Sequence, residues 1–369
     1  MKSAIQAIIG GLLRIKDIMK TIAAVLTEIN NPLQIEELII LPLKKGQVLV
    51  EVAYSGICHS QLNEIHGLKG EDKFLPHTLG HEGSGIVVEI GPDVTKVKPG
   101  DHVVLTWIKG SGHDVPSTKY SRKDGSIVNS GAISTFLTHA VISENRLVPI
   151  TKDMPLREAA LLGCAIPTGA GIVLNSARVQ PGSSVAVFGC GGIGISAIIA
   201  SSAIAKAKFI IAVDVVDQKL NYAIKLGATH IINSSKEDSV KAIVDLMERR
   251  GVDVTIECAG KKETMENAFM CIKDNGGLCV IAGNLPKGQK IKIDPFDLIK
   301  GKRIVGTWGG ETDPDRDIPL YVNSFLSGII NLRSLITLSH PLTNINEAIR
   351  KTESGQVGRC LIEMSNTHR

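Results

Sequence analysis

A histidine and a glutamate stand side by side in the stretch LGHEGSGIVVEIG, as His81 and Glu82. Cys58 lies 23 residues before His81, and Cys164 lies in the later segment LLGCAIPTG. Two thiolates and one imidazole suit zinc, and three protein ligands leave a fourth position open to a substrate. Because such long separations carry no local ligand spacing, buried apolar cysteines and a hydrogen-bonded core histidine stay open as alternatives.

A glycine-rich turn gives a second chemical signal. SSVAVFG predicts an apolar strand, and Gly189, Gly191 and Gly194 follow it in G-x-G-x-x-G order, with Gly192 in the same turn. Between a strand and a helix, this pattern binds the pyrophosphate of a dinucleotide, because free N–H groups at the helix start face the phosphates. The turn therefore predicts a nicotinamide cofactor.

An acidic residue after the next strand indicates which cofactor. Asp214 ends the predicted strand FIIAVD, 20 residues after Gly194. A carboxylate there accepts hydrogen bonds from the adenosine ribose and repels a 2′-phosphate. The sequence thus predicts NAD rather than NADP, and the alternative role for Asp214 is to cap the following helix.

Two patterns of secondary structure must position these residues. In the first part of the chain, β-branched runs such as GQVLVEVAYSGI and DHVVLTW follow one another too closely for crossover helices, which predicts an antiparallel, barrel-like domain. From about Gln180, apolar strands alternate with helical segments as far as KRIVGTWGG, which predicts a parallel sheet covered on both faces. The tail, PLTNINEAIRKTESGQVGRCLIEM, predicts a helix and a strand that rejoin the first domain.

Composition excludes several classes of function. The 369 residues suffice for two domains, and 43% hydrophobic with 21% charged residues is typical of a globular protein. The 41 basic and 37 acidic residues are interspersed and aromatic residues make up only 4%, which argues against a nucleic-acid groove. No apolar run reaches the roughly 18 residues of a membrane span. Seven cysteines, an odd number without a secretory signal, favour reduced thiols and a cytoplasmic location.

The segment GHEGSGIVVEIGPDVTKVKPGDHVV closely resembles the signature of the zinc-containing, medium-chain alcohol dehydrogenases. GICHS and LLGCAIPTGAG resemble the two cysteine segments of that family in order and distance. SSVAVFGCGGIG resembles its cofactor region, and GQVGRCLI its C-terminus. The resemblance runs from about Met19 to Met364, which is nearly the full chain.

The resemblance implies an α/β fold with two domains and an active site in the cleft between them. A GroES-like, β-rich catalytic domain would comprise residues 19–165 and 310–369. A Rossmann domain with a doubly wound parallel sheet would comprise residues 166–309 and bind NAD. Residues 1–18 would be an N-terminal extension, basic and weakly amphipathic, which we expect to be poorly ordered or packed on the surface.

Carried over residue by residue, the resemblance makes Cys58, His81 and Cys164 the ligands of one catalytic zinc per chain. Glu82 would lie near the metal, opposite the substrate, and Ser60 would accept the proton of the bound alcohol. The four closely spaced cysteines that bind a structural zinc in many relatives have no counterpart here, since no cysteine occurs between Cys58 and Cys164. The lobe at residues 109–131 must therefore hold itself by packing and hydrogen bonds.

Further contacts are implied for the cofactor and the substrate. His59 and Arg359 would face the pyrophosphate, Thr168 would pack at the nicotinamide, and Lys219 would approach the adenosine ribose. Trp107 would line the substrate pocket. From the residues alone, Lys219 and Arg359 could equally be solvated charges, and Trp107 a core residue.

Two positions depart from the family pattern. Gln61 stands where the family often has an aspartate that orients the zinc-bound imidazole, and we expect its carbonyl to accept the imidazole N–H without the charge. Losses of this kind typically cost about 10–100-fold in metal affinity or activity. Asn63 stands where some members have the histidine that ends the proton relay.

Taken together, the sequence predicts an NAD-dependent alcohol dehydrogenase with one zinc. It would transfer a hydride reversibly between a primary or secondary alcohol and NAD, with an aldehyde or ketone as the other partner. The resemblance also implies a homodimer or homotetramer. A zinc-free quinone or enone reductase of the same superfamily is the alternative enzyme, and an NAD-binding protein without catalytic activity is the alternative from another class. The sequence does not specify which alcohol is used.

Overall fold

The computed structural model describes residues 19–286, 288–355 and 358–364, so the expectations for residues 1–18 lie outside the described part. Strands dominate the first part of the chain. The elements there are β1 (Lys20–Leu26), β2 (Gln34–Ile40), β3 (Gln47–Gly56), α1 (His59–Ile65), β4 (His77–Thr78), β5 (Glu82–Ile90), β6 (His102–Thr106), β7 (Ser117–Ser121), β8 (Ile127–Gly131), β9 (His139–Ser143), β10 (Leu147–Ile150) and α2 (Leu156–Ala159). β1, β2, β7, β8 and β4 close a small barrel, while β10, β6, β5 and β3 form a neighbouring antiparallel sheet. The predicted antiparallel, barrel-like organisation is confirmed.

Strands and helices alternate in the second part. They are α3 (Ala165–Gly171), β11 (Ser184–Phe188), α4 (Gly192–Ile199), β12 (Phe209–Asp214), α5 (Asp217–Lys225), β13 (His230–Asn233), α6 (Ser239–Leu246), β14 (Val254–Glu257), α7 (Lys262–Cys271), β15 (Leu278–Ile281), α8 (Pro295–Ile299) and β16 (Arg303–Gly306). The strands pair in parallel in the order β13-β12-β11-β14-β15-β16. The chain order reverses between β11 and β14, which is where doubly wound sheets bind their ligands.

Alternate residues of the central strand β11 face two different apolar clusters. Val185 and Val187 pack into one cluster, and Ala186 and Phe188 into the other. Because both faces are covered, the strand reads as a continuous apolar run. A third cluster fills the barrel.

The end of the chain returns to the first sheet. Its elements are α9 (Pro314–Leu326), β17 (Ile336–Pro341), α10 (Ile345–Glu353) and β18 (Arg359–Glu363). β18 runs antiparallel to β3, with Leu361 opposite Gly56. The Ile57 N–H donates to the Cys360 carbonyl over 3.2 Å. The final strand therefore rejoins the first domain, as the sequence predicts, and it begins its pairing beside Cys58.

The lobe at residues 109–131 is held without cysteines. Glu144 accepts the backbone N–H groups of Thr95, Lys96 and His113 at 2.7–2.8 Å. Asp315, at the start of α9, pairs with Lys96 at 2.5 Å and so links the lobe region to the end of the chain. A buried carboxylate that accepts several N–H groups stabilises a loop as a metal would, by joining distant segments.

All seven cysteines are free, as expected for reduced thiols. Within the described residues, no single helix is long and apolar enough to cross a membrane. Two consecutive helical segments, Leu156–Gly163 and Ala165–Ser176, are long and apolar enough only when taken together, and they are bent by 56° relative to each other.

Candidate functional site

Three separate elements place Cys58, His81 and Cys164 at one point. Cys58 follows β3 and precedes α1, His81 directly precedes β5, and Cys164 directly precedes α3. One ligand atom of each residue lies within 4.8 Å of the other two, and His81 Nε2 is 3.3 Å from Cys164 Sγ. The structure thus brings together the three residues selected from the sequence, in a geometry that a single tetrahedral cation fits.

The two thiols lie in unequal electrostatic surroundings. The hydrogen bond from Cys164, together with His81 and Arg359, holds the pKa of Cys58 well below its ordinary value although burial opposes this. The hydrogen bond with Cys58 and burial raise the pKa of Cys164 well above its ordinary value. Of the two thiols, Cys58 is therefore the one whose surroundings favour the thiolate, the form that binds a metal.

Gln61 sits beneath this cluster in an arrangement that differs from our expectation. Its Oε1 accepts the backbone N–H of Cys58 at 2.7 Å, and its Nε2 lies 2.7 Å from His81 Nδ1. The carbonyl therefore serves the backbone of Cys58 and not the imidazole, because a single amide oxygen lies between two groups that both need an acceptor. Gln61 is fully buried, so water does not replace the missing acceptor.

Behind the metal ligands lies a buried ion pair. Glu82 is 0% exposed, and Arg359 donates from Nη2 to its carboxylate. Burial raises the pKa of Glu82 despite the arginine. Arg359 Nη1 also lies 2.8 Å from the position that a Cβ atom would take at Gly192. Through Glu82, which follows His81, Arg359 therefore connects the cysteine–histidine cluster to the glycine turn. The sequence did not indicate the ion pair between Arg359 and Glu82.

The glycine turn has the geometry that its spacing predicts. Gly189 has φ +93°, a left-handed conformation that favours glycine. A Cβ atom at Gly194 would lie 1.9 Å from the Gly189 carbonyl oxygen, so only glycine allows α4 to pack against β11. Asp214 accepts the Cys190 N–H of the turn at 2.8 Å. Its other oxygen accepts the N–H groups of Val215 and Val216, ahead of α5, so Asp214 does not cap that helix, whose N-cap is Val216.

One pocket collects five of the nine residues expected at the cofactor, whereas Thr168, Gly189, Gly194 and Asp214 do not line it. It is lined by His59, Gly191, Gly192, Lys219 and Arg359. Tyr222, Lys351 and Thr352 line the same pocket and were not selected from the sequence. Their sequence segments contain no recognisable binding motif. These residues reach the pocket only because α5 and α10 pack beside it.

Trp107 is placed by strand pairing. Thr106 of β6 pairs with Glu82 of β5. Trp107 comes directly after Thr106 and His81 directly before Glu82, so the two residues lie at the same end of the paired strands. The indole Nε1 of Trp107 is buried without a hydrogen-bond partner among the described residues. Thr168 Oγ1 is likewise buried and unpartnered. Unpartnered buried donors of this kind are typical of positions that face a ligand.

A second tryptophan, missed from the sequence, faces Trp107. Trp308 follows β16, and the two ring centroids lie 5.4 Å apart at an interplanar angle of 82°. Trp308 is 80% exposed. The only available signal was the motif GTWGG at the end of the last parallel strand, which placed a large ring at the edge where such sheets bind ligands.

The comparisons with known proteins agree with this geometry. Residues 44–152 match the model of the alcohol dehydrogenase GroES-like domain, and residues 192–326 match that of the zinc-binding dehydrogenases. An S-(hydroxymethyl)glutathione dehydrogenase of Synechocystis sp. is 35% identical, over 93% of this chain and 100% of its own. The chain belongs to the zinc-containing, medium-chain alcohol dehydrogenase family.

Other members are similar over comparable lengths. Alcohol dehydrogenase 1 of Pisum sativum is 31% identical over 94% of this chain and 98% of its own. Among solved structures, an alcohol dehydrogenase zinc-binding domain protein from Burkholderia ambifaria has a TM-score of 0.88 at 33% identity, covering 94% of this chain and 100% of its own. Benzyl alcohol dehydrogenase from Acinetobacter calcoaceticus has a TM-score of 0.85 at 31% identity with the same coverage.

In this member of the alcohol dehydrogenase family, the residues expected to carry a proton out of the site lie along α1. Ser60 Oγ lies 3.4 Å from His81 Nδ1, on the first turn of α1. Asn63, one turn further, is exposed. His66 is held by Glu353 at 2.5 Å and by Asn30 at 3.3 Å, on the far end of the helix. Within α1, the only histidine is therefore His59, which is next to Ser60 and exposed. It is the one histidine of this helix that could act in place of Asn63.

Proposed function

We propose that the protein is an NAD-dependent alcohol dehydrogenase that interconverts a primary or secondary alcohol with its aldehyde or ketone. The observation that carries this proposal is the convergence of Cys58, His81 and Cys164 beside the glycine turn. The ligand set of two sulfurs and one nitrogen fits a catalytic zinc with an open fourth position. When bound, zinc acts as a Lewis acid on the alcohol or carbonyl oxygen.

The chain's own residues would orient the reactants and move the proton. Ser60 would accept the proton of the alcohol, the role that the family resemblance implies; its hydroxyl lies beside the ligand cluster, 3.4 Å from His81 Nδ1. Thr168 offers its unpartnered hydroxyl to the nicotinamide, and His59, Lys219 and Arg359 hold the phosphates and ribose from the walls of one pocket. These groups fix the cofactor's reactive carbon against the substrate, which is the protein's contribution in nicotinamide enzymes.

Asp214 supports NAD over NADP. Its carboxylate lies at the end of β12 and contacts the glycine turn. A 2′-phosphate on the adenosine ribose would bring a second negative charge to this carboxylate, at a cost that grows with proximity.

The tryptophan pair favours an aromatic alcohol as substrate. Trp107 and Trp308 present two large rings, and Trp107 follows the residue that pairs with Glu82, next to His81. Flat apolar rings pack well against such surfaces. Benzyl alcohol dehydrogenase is among the similar structures, which agrees with this preference. S-(hydroxymethyl)glutathione, the substrate in other relatives' names, is the second candidate.

A homodimer or homotetramer is part of the same proposal. β16 is the edge strand of the parallel sheet, and Val305 on it is 41% exposed. An exposed strand edge of this kind is stable when another strand pairs with it.

The experiment measures zinc content and NAD reduction with a panel of aromatic and aliphatic alcohols. Cys164→Ser should lose zinc and activity together, while Cys279→Ala, in the core of the parallel sheet, should keep both. Zinc binding without reduction of NAD would indicate the non-catalytic alternative. Turnover by protein stripped of zinc would indicate the zinc-free reductase.

A further inference from the structure

A second group of metal-ligating side chains lies outside the cysteine site. Glu64 on α1, Asp72 in the loop after it and His77 on β4 each offer one ligand atom within 4.8 Å of the other two. All three occur between Cys58 and His81 in the chain. None of them is used by the proposed function.

His77 is surrounded by acceptors. Its Nδ1 lies 3.1 Å from the Thr78 carbonyl oxygen, to which it can only donate. Its Nε2 lies 2.8 Å from Asp72 Oδ2, which is also an acceptor. The side chain of His77 is only 8% exposed, and its Nε2 and Asp72 Oδ2 are close enough to share either a proton or one metal ion.

The carboxylates are available to a cation. Asp72 accepts the Phe74 N–H at 2.9 Å through its other oxygen, which fixes the orientation of the carboxylate that faces His77. Glu64 holds the ammonium of Lys69 at 3.0 Å, and that lysine side chain is 52% exposed. An exposed ammonium on a flexible stem is weakly held, so a divalent ion can displace it.

A cavity of about 370 Å³ borders the group and also reaches Gln61 and His81 of the cysteine site. Glu64 and His77 line it together with Ser130 and Ser134. Thr78 also lines it, is 3% exposed, and has a hydroxyl without a partner among the described residues. The cavity therefore has room and hydrogen-bonding groups for the water molecules that complete the coordination of an ion.

We propose that Glu64, Asp72 and His77 bind a divalent cation of the manganese or zinc type, as a site separate from the cysteine site. Two carboxylates and one imidazole suit these ions, whereas the cysteine site selects zinc by its sulfur ligands. The ion joins α1, the loop and β4, so it ties down the segment that carries two of the cysteine-site ligands. A count of cysteines does not reveal this site, because none takes part.

The test is titration of the full-length protein with cobalt(II), followed by absorbance and by elemental analysis. Cobalt bound to thiolates gives intense sulfur-to-metal charge transfer, whereas cobalt bound to carboxylates and imidazole does not. We expect a second equivalent to bind without added charge-transfer absorbance. In Glu64→Gln and in His77→Gln this equivalent should bind at least ~10-fold more weakly, because even outer-sphere partners of metals cost about 10–100-fold.

Glu71→Gln is the matched control, since it removes a neighbouring acidic charge outside the group. Manganese should also raise the melting temperature of the wild type and of Glu71→Gln but not of His77→Gln. If His77→Gln fails to fold, Glu64→Gln decides, because it leaves the Asp72–His77 pair in place. Binding of one equivalent only, or a second equivalent unchanged in Glu64→Gln, overturns the proposal. Neither result bears on alcohol oxidation, which is measured separately.

Discussion

Replacement of Gln61 with Glu should tighten zinc binding at the cysteine site. His81 Nε2 faces Cys164 Sγ and would bind the zinc, which would leave the proton of the imidazole on Nδ1. The Cys58 N–H and the Nδ1–H of His81 then both point at the Gln61 amide, which has one oxygen. In either amide orientation one donor faces the NH₂ group. A carboxylate of the same length accepts from both.

The size of the effect follows from the burial of this position. Gln61 is 1% exposed, so water does not reach this donor, and its remaining acceptor is the Ser60 hydroxyl, 3.4 Å from Nδ1. An unsatisfied buried donor costs about 1–3 kcal/mol, roughly 5–150-fold in an equilibrium constant, and so long a contact recovers only part of that cost. Burying a new carboxylate offsets part of this gain, although the imidazole N–H and the metal compensate its charge. We therefore expect zinc to bind ~10-fold more tightly in Gln61→Glu.

The assay is competition against a chromophoric chelator, with cobalt(II) charge transfer used to follow the cysteine site alone. Asn63→Asp is the control, because it adds the same charge two residues along α1 without contacting His81. Gln61→Leu, which removes both hydrogen bonds, should bind zinc more weakly than the wild type. Equal or weaker zinc binding by Gln61→Glu, or equal tightening by Asn63→Asp, would refute the reasoning.

Three more outcomes are expected. Asp214→Ser should narrow or reverse the preference for NAD, seen as the ratio of kcat/KM for the two cofactors; equal use of both by the wild type would contradict the assignment. Asn63→His should raise alcohol oxidation near pH 7 several-fold, less than the ~10²-fold of a fully engaged general base, because an imidazole takes up a proton that an amide cannot; coincident pH–rate profiles would mean that the proton leaves by another route. Trp308→Ala should lower kcat/KM for aromatic alcohols more than for short aliphatic ones, by about 2–10-fold from the loss of one ring contact; an equal loss for both classes would remove the case for aromatic specificity.

The sequence predicted the parts of the site that depend on local pattern. The sequence placed His81 directly before a strand and the glycines between a strand and a helix. Hydrophobic periodicity and turn residues are local features, so a single sequence is enough to recognise them. The alternation of strands and helices was likewise enough for the parallel sheet, since its strands are buried on both faces.

Contacts between distant segments were not predictable in the same way. Three contacts depend on how two elements meet. They are the ring contact of Trp308 with Trp107, the ion pair of Arg359 with Glu82, and the position of Gln61 between the Cys58 N–H and His81. Single residues of these types are common on surfaces and in cores, so composition and spacing alone do not separate them from ordinary packing. The family resemblance implied separate roles for Arg359 and Glu82, but not the ion pair between them.

The pairing of β18 with β3 has a consequence for biosynthesis. The strand that ends beside Cys58 meets its partner only after about 300 further residues have been made. At about 5–20 residues per second, translation takes roughly 15–60 s to supply them. During that time the β3 edge next to Cys58 is without its partner, and Arg359, which holds Glu82, does not yet exist. We therefore expect the nascent chain to acquire its metal late, and chains that terminate before β18 to be recognised as unfinished by proteases and chaperones.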